Sequence, residues 1–168
     1  MVVMSEIAED PRWLSVDERA AWLALLSTTT LLPGAVEAPL QQLAKLSLFD
    51  YNVLAMLSEA SDGTLPMSEL AARTSASLSR LSHVVKKLEA RGLVVRDAHP
   101  GDARVTAASI TDVGLALVAE IAPRHVDTVR ALVFDRLDQR DVADLARIGR
   151  KIVRGMDAQH WILRTPAP

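Results

Sequence analysis

Hydroxyl and basic side chains recur on one side of a segment near the middle of the chain, Ser77 to Arg91. At about 100° per residue, the apolar residues of this segment share one helix face: Leu78, Leu81, Val84, Val85 and Leu88. The opposite face carries hydroxyls near its start and cations further along: Ser77, Ser79, Arg80, His83, Lys86 and Lys87. Hydroxyls and arginine reach base edges, whereas lysines neutralise phosphates. The pattern favours nucleic-acid binding over an ordinary solvated helix, which would be richer in glutamate.

The distribution of charge supports the same interpretation. The chain has a net charge of −2, yet residues 73–104 contain seven basic and three acidic residues. A basic segment on an acidic body directs one face of the molecule toward phosphate and keeps the rest away. A solvated charged face without a ligand is the alternative.

A predicted β-hairpin follows the basic helix and supplies a second candidate contact. Leu93–Asp97 and Arg104–Ile110 have strand character, and residues 99–102 between them form a turn. Arg104 near the tip could enter the minor groove, with Asp102 holding its side chain extended. The alternative is a hairpin that only presents a polar turn.

Capping residues and apolar periodicity place the other elements. An amphipathic helix is predicted over Val16–Thr30, with Trp22, Leu25 and Leu26 on its apolar stripe. Pro33, Gly34 and Pro39 predict a bend or a break, followed by a helix over Leu40–Leu46. Further helices and strands are predicted as follows: Leu48–Ala60 capped by Ser47, a single β-bridge at Thr64–Pro66, Glu69–Arg73 capped by Ser68, Asp112 to about Leu137 capped by Thr111 and containing Pro123, and Asp138 to about Met156.

Composition restricts the class of protein. Of the 168 residues, 49% are hydrophobic and only 4% aromatic, which favours helix packing over a β-sandwich. The absence of cysteine excludes disulfides and thiol switches. The acidic N-terminus does not resemble a signal peptide, and no apolar stretch is expected to approach the length of a membrane span, so we expect a soluble cytoplasmic protein with no membrane contact. No cofactor, metal site or enzyme activity is expected, because the four histidines share no ligand spacing and no nucleophile–base pair is evident.

The order of elements from Ser47 to Ile110 is that of a winged helix, and its motifs resemble those of the MarR family. The stretches that carry the resemblance are Ser79-Arg80-Leu81-Ser82-His83, Leu88-Glu89-Ala90-Arg91-Gly92-Leu93-Val94, Arg96, Asp102-x-Arg104 and Ile110-Thr111-Asp112-Val113-Gly114. The expected fold is therefore mainly α with a small β-hairpin wing. It comprises a winged helix-turn-helix at residues 47–110 and dimerisation helices from both termini, at residues 1–46 and 111–168.

The resemblance also implies how such a protein works. It implies a homodimer, and a repressor or activator whose DNA affinity responds to a small, often aromatic or phenolic, ligand. Of these two roles we expect a repressor that the ligand releases from a pseudo-palindromic operator in double-stranded DNA. The ligand would bind between the dimer helices and the winged lobe. Among Trp13, Trp22 and Tyr51, the candidate ligand-binding residues are Trp22 and Tyr51, although core packing or dimer contacts are the favoured explanation for all three.

Two other functions remain as alternatives. A winged-helix module that docks protein and ignores DNA would carry an apolar or acidic face on the Ser77–Arg91 helix, which is not the observed pattern. A small helical enzyme would need catalytic groups in a suggestive spacing, and none is evident.

Overall fold

The computed structural model describes residues 11–99 and 101–164. The chain divides into two compact units at Gly34, and the second unit, from Ala35 onward, contains the winged helix. The elements, in chain order, are α1 (Val16–Ala44), α2 (Leu48–Ser58), β1 (Thr64–Pro66), α3 (Met67–Arg73), α4 (Leu78–Ala90), β2 (Val94–His99), β3 (Asp102–Ile110), α5 (Asp112–Leu132), a 3-10 turn (Phe134–Arg136), α6 (Gln139–Met156) and a last 3-10 turn (Trp161–Leu163).

Helix α1 rules out a break at its prolines, which was one of the two predicted outcomes, a bend or a break. It is a single helix of 29 residues from Val16 to Ala44 that includes Pro33, Gly34 and Pro39. Each proline removes one backbone hydrogen bond, to the carbonyl four residues earlier. Those carbonyls belong to Thr29 and Ala35, which are both exposed, so water can replace the missing donors. A proline in this setting does not have to end the helix.

The length of α1 also corrects the expectation about membrane spans. Among the described residues, α1 is the one helix long and apolar enough to cross a membrane. Its Trp22, Leu25 and Leu26 are between 41% and 52% exposed. A single such helix is weak support for a membrane span, because core helices of soluble proteins meet the same test.

The core of the second unit lies where α2, α3 and α4 pack against the sheet. Its most deeply buried side chains are Leu40, Leu46, Leu54, Leu57, Leu70, Leu81, Leu88, Val53, Val85 and Val94. Three of these, Leu81, Val85 and Leu88, come from the apolar stripe predicted on α4. Leu78, predicted on the same stripe, is instead 54% exposed, because the first turn of α4 extends past the core.

The sheet has three antiparallel strands in the order β1-β3-β2. The predicted single bridge at Thr64–Pro66 is therefore wrong: all three residues pair with β3, from Thr64 opposite Ser109 to Pro66 opposite Ala107. A hydroxyl–hydroxyl hydrogen bond of 2.8 Å between Thr64 and Ser109 supports the pairing. Because the strand leads directly into α3, Pro66 occupies the N-cap position and makes no side-chain cap bond, which overturns the predicted cap at Ser68.

The wing begins with a well-defined helix end and a close backbone contact. Gly92, at φ +70°, follows α4, and the amides of Gly92 and Leu93 donate to the carbonyls of Glu89 and Leu88, which is a Schellman motif. The hydroxyl of Thr111 donates to the Gly92 carbonyl at 2.7 Å and accepts from the Gly114 amide. Gly114 lies so close to the Leu93 carbonyl that a Cβ would overlap with it.

The C-terminal helices agree with the prediction at their starts but not at every end. Thr111 caps α5, and Asp138 caps α6 in a capping box with Asp141. Helix α5 ends at Leu132 rather than near Leu137, because Val133 leaves the helical conformation, at φ −123° and ψ −69°, and a 3-10 turn follows it. Pro123 lies inside α5 without ending it.

Candidate nucleic-acid interface

The outer face of α4 brings most of the predicted contact residues together. Ser77 is the N-cap of α4 and accepts a hydrogen bond from the Arg80 amide at 3.2 Å. The face beyond it is exposed and contains Ser79, Arg80, His83, Lys86 and Lys87. Successive residues of this set are one or three positions apart along the helix, which places them on one continuous surface.

Arg80 is oriented by an aromatic ring on α2. Its guanidinium carbon lies 4.2 Å from the centre of the Phe49 ring, which is a cation–π distance. Both residues line an open groove of about 510 Å³ between the start of α2 and the face of α4. Nothing local in the sequence indicates that Phe49 contacts a residue 31 positions later.

Lys87 differs from its neighbour Lys86 because it is paired. The ammonium of Lys87 lies 2.5 Å from the carboxylate of Asp50, whose side chain is only 1% exposed. Burial alone would raise the pKa of Asp50, but the hydrogen bonds from Lys87 and Ser47 outweigh it and lower that pKa. Lys86 is exposed, and within residues 11–99 and 101–164 it forms no ion pair. The positive charge of Lys87 is therefore largely compensated by a buried carboxylate, whereas the exposed Lys86 is attracted to Glu89 without forming an ion pair with it.

The wing presents an exposed arginine that is paired with Asp102. Arg104 makes two hydrogen bonds to the carboxylate of Asp102, at 3.1 and 3.2 Å, and its side chain is 91% exposed. The bonds to Asp102 raise the pKa of Arg104 above its usual value. This pairing agrees with the predicted role of Asp102 in holding the arginine.

A second ion pair connects the wing to α4. The guanidinium of Arg96 on β2 lies 2.7 Å from the carboxylate of Glu89 on α4, and the Arg96 amide also donates to it. The hydrogen bond from Arg96 lowers the pKa of Glu89. The one glutamate on this helix therefore neutralises a wing residue at the end of α4, away from Ser79 and Arg80.

The two candidate ligand residues have different surroundings. Trp22, in the first unit, is 52% exposed. Tyr51, in the second unit, is buried, and its ring centre lies 4.3 Å from that of His125 on α5. Burial raises the pKa of Tyr51 and lowers that of His125. The Nδ1 atom of His125 is buried without a hydrogen-bond partner among the described residues.

His160 makes a polar contact with a residue far away in the sequence. Its Nε2 atom lies 3.0 Å from the hydroxyl of Ser75, in the turn between α3 and α4. In the part of the chain that the structure describes, no three His, Asp or Glu side chains are grouped so that they could hold a metal ion.

The interface has the form of a winged helix, and comparison with known proteins decides its family. A MarR family transcriptional regulator from Streptomyces coelicolor, crystallised in complex with DNA, is 37% identical to this chain, with a TM-score of 0.84. The alignment covers 89% of this chain and 94% of that one. The chain belongs to the MarR family. Members of this family are DNA-binding transcriptional regulators.

Two further MarR comparisons agree. AbsC, a MarR family regulator from Streptomyces coelicolor, is 35% identical, and the alignment covers 89% of this chain and all of AbsC with a TM-score of 0.84. The HTH-type transcriptional regulator MhqR of Bacillus subtilis is 32% identical over 71 residues, which are 42% of this chain and about half, 49%, of MhqR. The MarR family model matches residues 45–105, which run from the end of α1 to the wing. The resemblance derived from the sequence motifs is confirmed.

Proposed function

We propose that this MarR family chain binds an operator sequence-specifically, with α4 in the major groove and the wing in the minor groove. The observation that carries the proposal is the outer face of α4, where Ser77, Ser79, Arg80 and His83 precede the exposed Lys86. Hydroxyls and arginine near the start of a recognition helix reach base edges, and a lysine further along meets phosphate. Such a regulator acts where the DNA is, so we place it in the cytoplasm.

The neighbouring lysines provide the sharpest test of this arrangement. Lys86→Gln should weaken binding to all sequences and reduce the slope of log affinity against log salt by about 0.9, the value for one phosphate contact. Lys87→Gln should reduce that slope by less than half as much, because Lys87 is bound to Asp50. Fluorescence anisotropy on the DNA flanking the coding region, at several salt concentrations, measures both slopes.

The outcomes separate the alternatives. Equal slope changes for the two variants would contradict the placement of Lys86 alone at phosphate. If the wild-type chain shows neither sequence preference nor salt dependence, the protein-docking alternative replaces DNA binding.

The wing supplies a second prediction. Arg104→Ala should lose affinity most for operators with A·T-rich flanks, because a narrow minor groove concentrates negative potential around an inserted arginine. Asp102→Ala should give a milder loss of the same kind, since the arginine remains but its two hydrogen bonds are absent. Anisotropy on A·T-flanked and G·C-flanked operators compares them. Unchanged affinity of Arg104→Ala on both would show that the hairpin does not read DNA.

We also propose that the chain acts as a homodimer on a pseudo-palindromic operator. Helix α6 has no buried residue, and its apolar residues Leu145, Ile148, Ile152 and Met156 are 41–75% exposed on one face. An apolar stripe of this kind indicates an interface, and obligate interfaces bury on the order of 2,000–5,000 Å². Two equivalent recognition helices would need half-sites about one helical turn, roughly 10 bp, apart.

Multi-angle light scattering tests the dimer. The wild-type chain should have twice the monomer mass at micromolar concentration. Ile148→Glu should produce monomer or aggregate, whereas Lys151→Glu, on another face of α6, should leave the dimer intact. A folded wild-type monomer would overturn the proposal.

Finally, we propose that this chain is a repressor and that a small aromatic or phenolic effector releases it from its operator. Buried Tyr51 offers an aromatic environment for such a ligand, and the Nδ1 atom of His125, which has no hydrogen-bond partner among the described residues, offers a polar group. We retain Trp22 as a further candidate. Two regulators that share the fold of this chain support the idea. The DNA binding of BpsR from Bordetella bronchiseptica, which is 20% identical, is regulated by 6-hydroxynicotinic acid. CouR from Rhodococcus jostii, which is 23% identical, has been crystallised bound to p-coumaroyl-CoA. Compounds that stabilise the protein in a thermal-shift screen and leave operator affinity unchanged would contradict it.

A further inference from the structure

The first turn of α2 contacts both ends of the α4 face. Phe49 lies against Arg80, and Asp50, the next residue, binds Lys87. This turn is firmly held, because Ser47 and Asp50 form a reciprocal capping box with hydrogen bonds of 2.8 and 3.0 Å. The amide of Leu48 also donates to the carboxylate of Glu37 at 2.7 Å. The Phe49 ring is therefore presented to α4 from a backbone with little freedom to move.

The geometry at Arg80 leaves its hydrogen-bonding edges available. Across residues 11–99 and 101–164, the guanidinium of Arg80 makes no hydrogen bond or ion pair. Its carbon atom lies over the Phe49 ring, 4.2 Å from the ring centre. A guanidinium over an aromatic face is held by the ring electrons, and its N–H donors remain unused. Two of those donors together can bind the two acceptors, O6 and N7, on the major-groove edge of a guanine.

Holding the arginine in advance affects recognition more than it affects general affinity. A free arginine loses side-chain entropy when it is immobilised against a base, whereas one already oriented loses less. The saved entropy strengthens binding only where the base edge accepts hydrogen bonds from both donors. An oriented arginine that faces a base without these acceptors forms no such bonds, so binding to that sequence is not strengthened.

We propose that Phe49 is a positioning residue that sets base preference through Arg80 without contacting a base itself. This inference rests on the proposed function, because it requires that α4 reads an operator. The competing explanation is that Phe49 only packs, since its side chain is partly buried against the core. The two explanations differ in what a leucine at this position would do.

The experiment compares Phe49→Leu, which keeps apolar bulk but removes the ring, with Phe49→Tyr, which keeps the ring. Anisotropy of the full-length protein on single-base operator substitutions identifies the position at which Arg80→Ala relaxes preference. Phe49→Leu should reduce discrimination at that same position about two- to fivefold, the range of an exposed cation–π contact. The slope of log affinity against log salt should be the same for Phe49→Leu as for the wild type. Phe49→Tyr should discriminate between bases as the wild type does. In the Arg80→Ala background, Phe49→Leu should cause no further loss of discrimination.

Each other result overturns the inference. Three results for Phe49→Leu would show that Phe49 only packs. The variant could discriminate between bases as the wild type does, it could weaken binding to all operators equally, or it could still reduce discrimination when Arg80 is already alanine. Loss of discrimination in Phe49→Tyr would do the same. Arg80→Ala without any change in base preference would overturn the inference while DNA binding stands. A wild-type chain that prefers no operator would overturn the proposed function, and the inference with it.

Discussion

Gly114→Ala is expected to lower the free energy of unfolding by about 3 kcal/mol, at the upper end of the usual cost of overpacking a buried site. Gly114 is buried in the first turn of α5, where a Cβ would overlap with the Leu93 carbonyl and crowd Ile110 at 2.7 Å. The carbonyl belongs to the backbone just before β2, so it cannot move without disturbing the wing. Urea denaturation at a fixed protein concentration measures the change.

Gly155→Ala is the matched control for this substitution. Gly155 lies in α6, and nothing lies within 4 Å of the position its Cβ would occupy. The same added methyl group should therefore stabilise the helix there, by up to about 1 kcal/mol. If Gly114→Ala were as stable as wild type, the close contact between the start of α5 and Leu93 would not exist in solution.

Local sequence signals were sufficient for the framework of the fold. Ser47, Ser77, Thr111 and Asp138 were each predicted near the start of a helix, and each accepts hydrogen bonds from the first turn that follows it. The helical period also placed Leu81, Val85 and Leu88 inside correctly. A cap and a helical period depend on residues within one or two turns, so the sequence contains all the information they need.

Features that depend on distant partners were missed or wrongly predicted. The pairing of Thr64–Pro66 requires β3, which follows more than 30 residues later, and three residues carry too little periodicity to indicate a strand. The surroundings of His125 depend on Tyr51, on another helix. The continuity of α1 through Pro33 and Pro39 depends on whether the carbonyls that lose a donor face water, which the local sequence does not reveal.

The candidate interface shows the same division. Helical periodicity was enough to predict that Arg80, Lys86 and Lys87 share the exposed face of α4. The two lysines are adjacent and chemically identical, and only the fold brings Asp50 to one of them. Sequence therefore predicted which cations are exposed, whereas the compensation of an individual charge required the structure.

Asp50→Asn is expected to lower the free energy of unfolding by about 2 kcal/mol near neutral pH, the usual range for a hydrogen bond to a charged group. The carboxylate of Asp50 is almost fully buried, and it accepts hydrogen bonds from Lys87 at 2.5 Å and from the Ser47 amide at 2.8 Å. An asparagine fits the same space and can still bond to Ser47. It has no charge to pair with the ammonium of Lys87. The loss therefore reports mainly on the ion pair.

The pH dependence distinguishes this charge effect from a packing effect. Because the pKa of Asp50 in the folded protein lies below its ordinary value of 3.8, the carboxylate stabilises the fold fully above that value. The stabilisation is lost as the pH falls below 3.8 through the folded pKa, so the free energies of unfolding of the wild type and Asp50→Asn should converge there.

Asp144→Asn is the control. Asp144 is likewise in an ion pair, with Arg147 on its own helix, but both of these side chains are more than 60% exposed. Its substitution should change stability by less than about 0.5 kcal/mol at any pH. Urea denaturation between about pH 7 and about pH 3 measures all three proteins. A stability gap between wild type and Asp50→Asn that stays constant over this range would mean that the shape of the Asp50 side chain, and not its charge, stabilises the junction between α2 and α4.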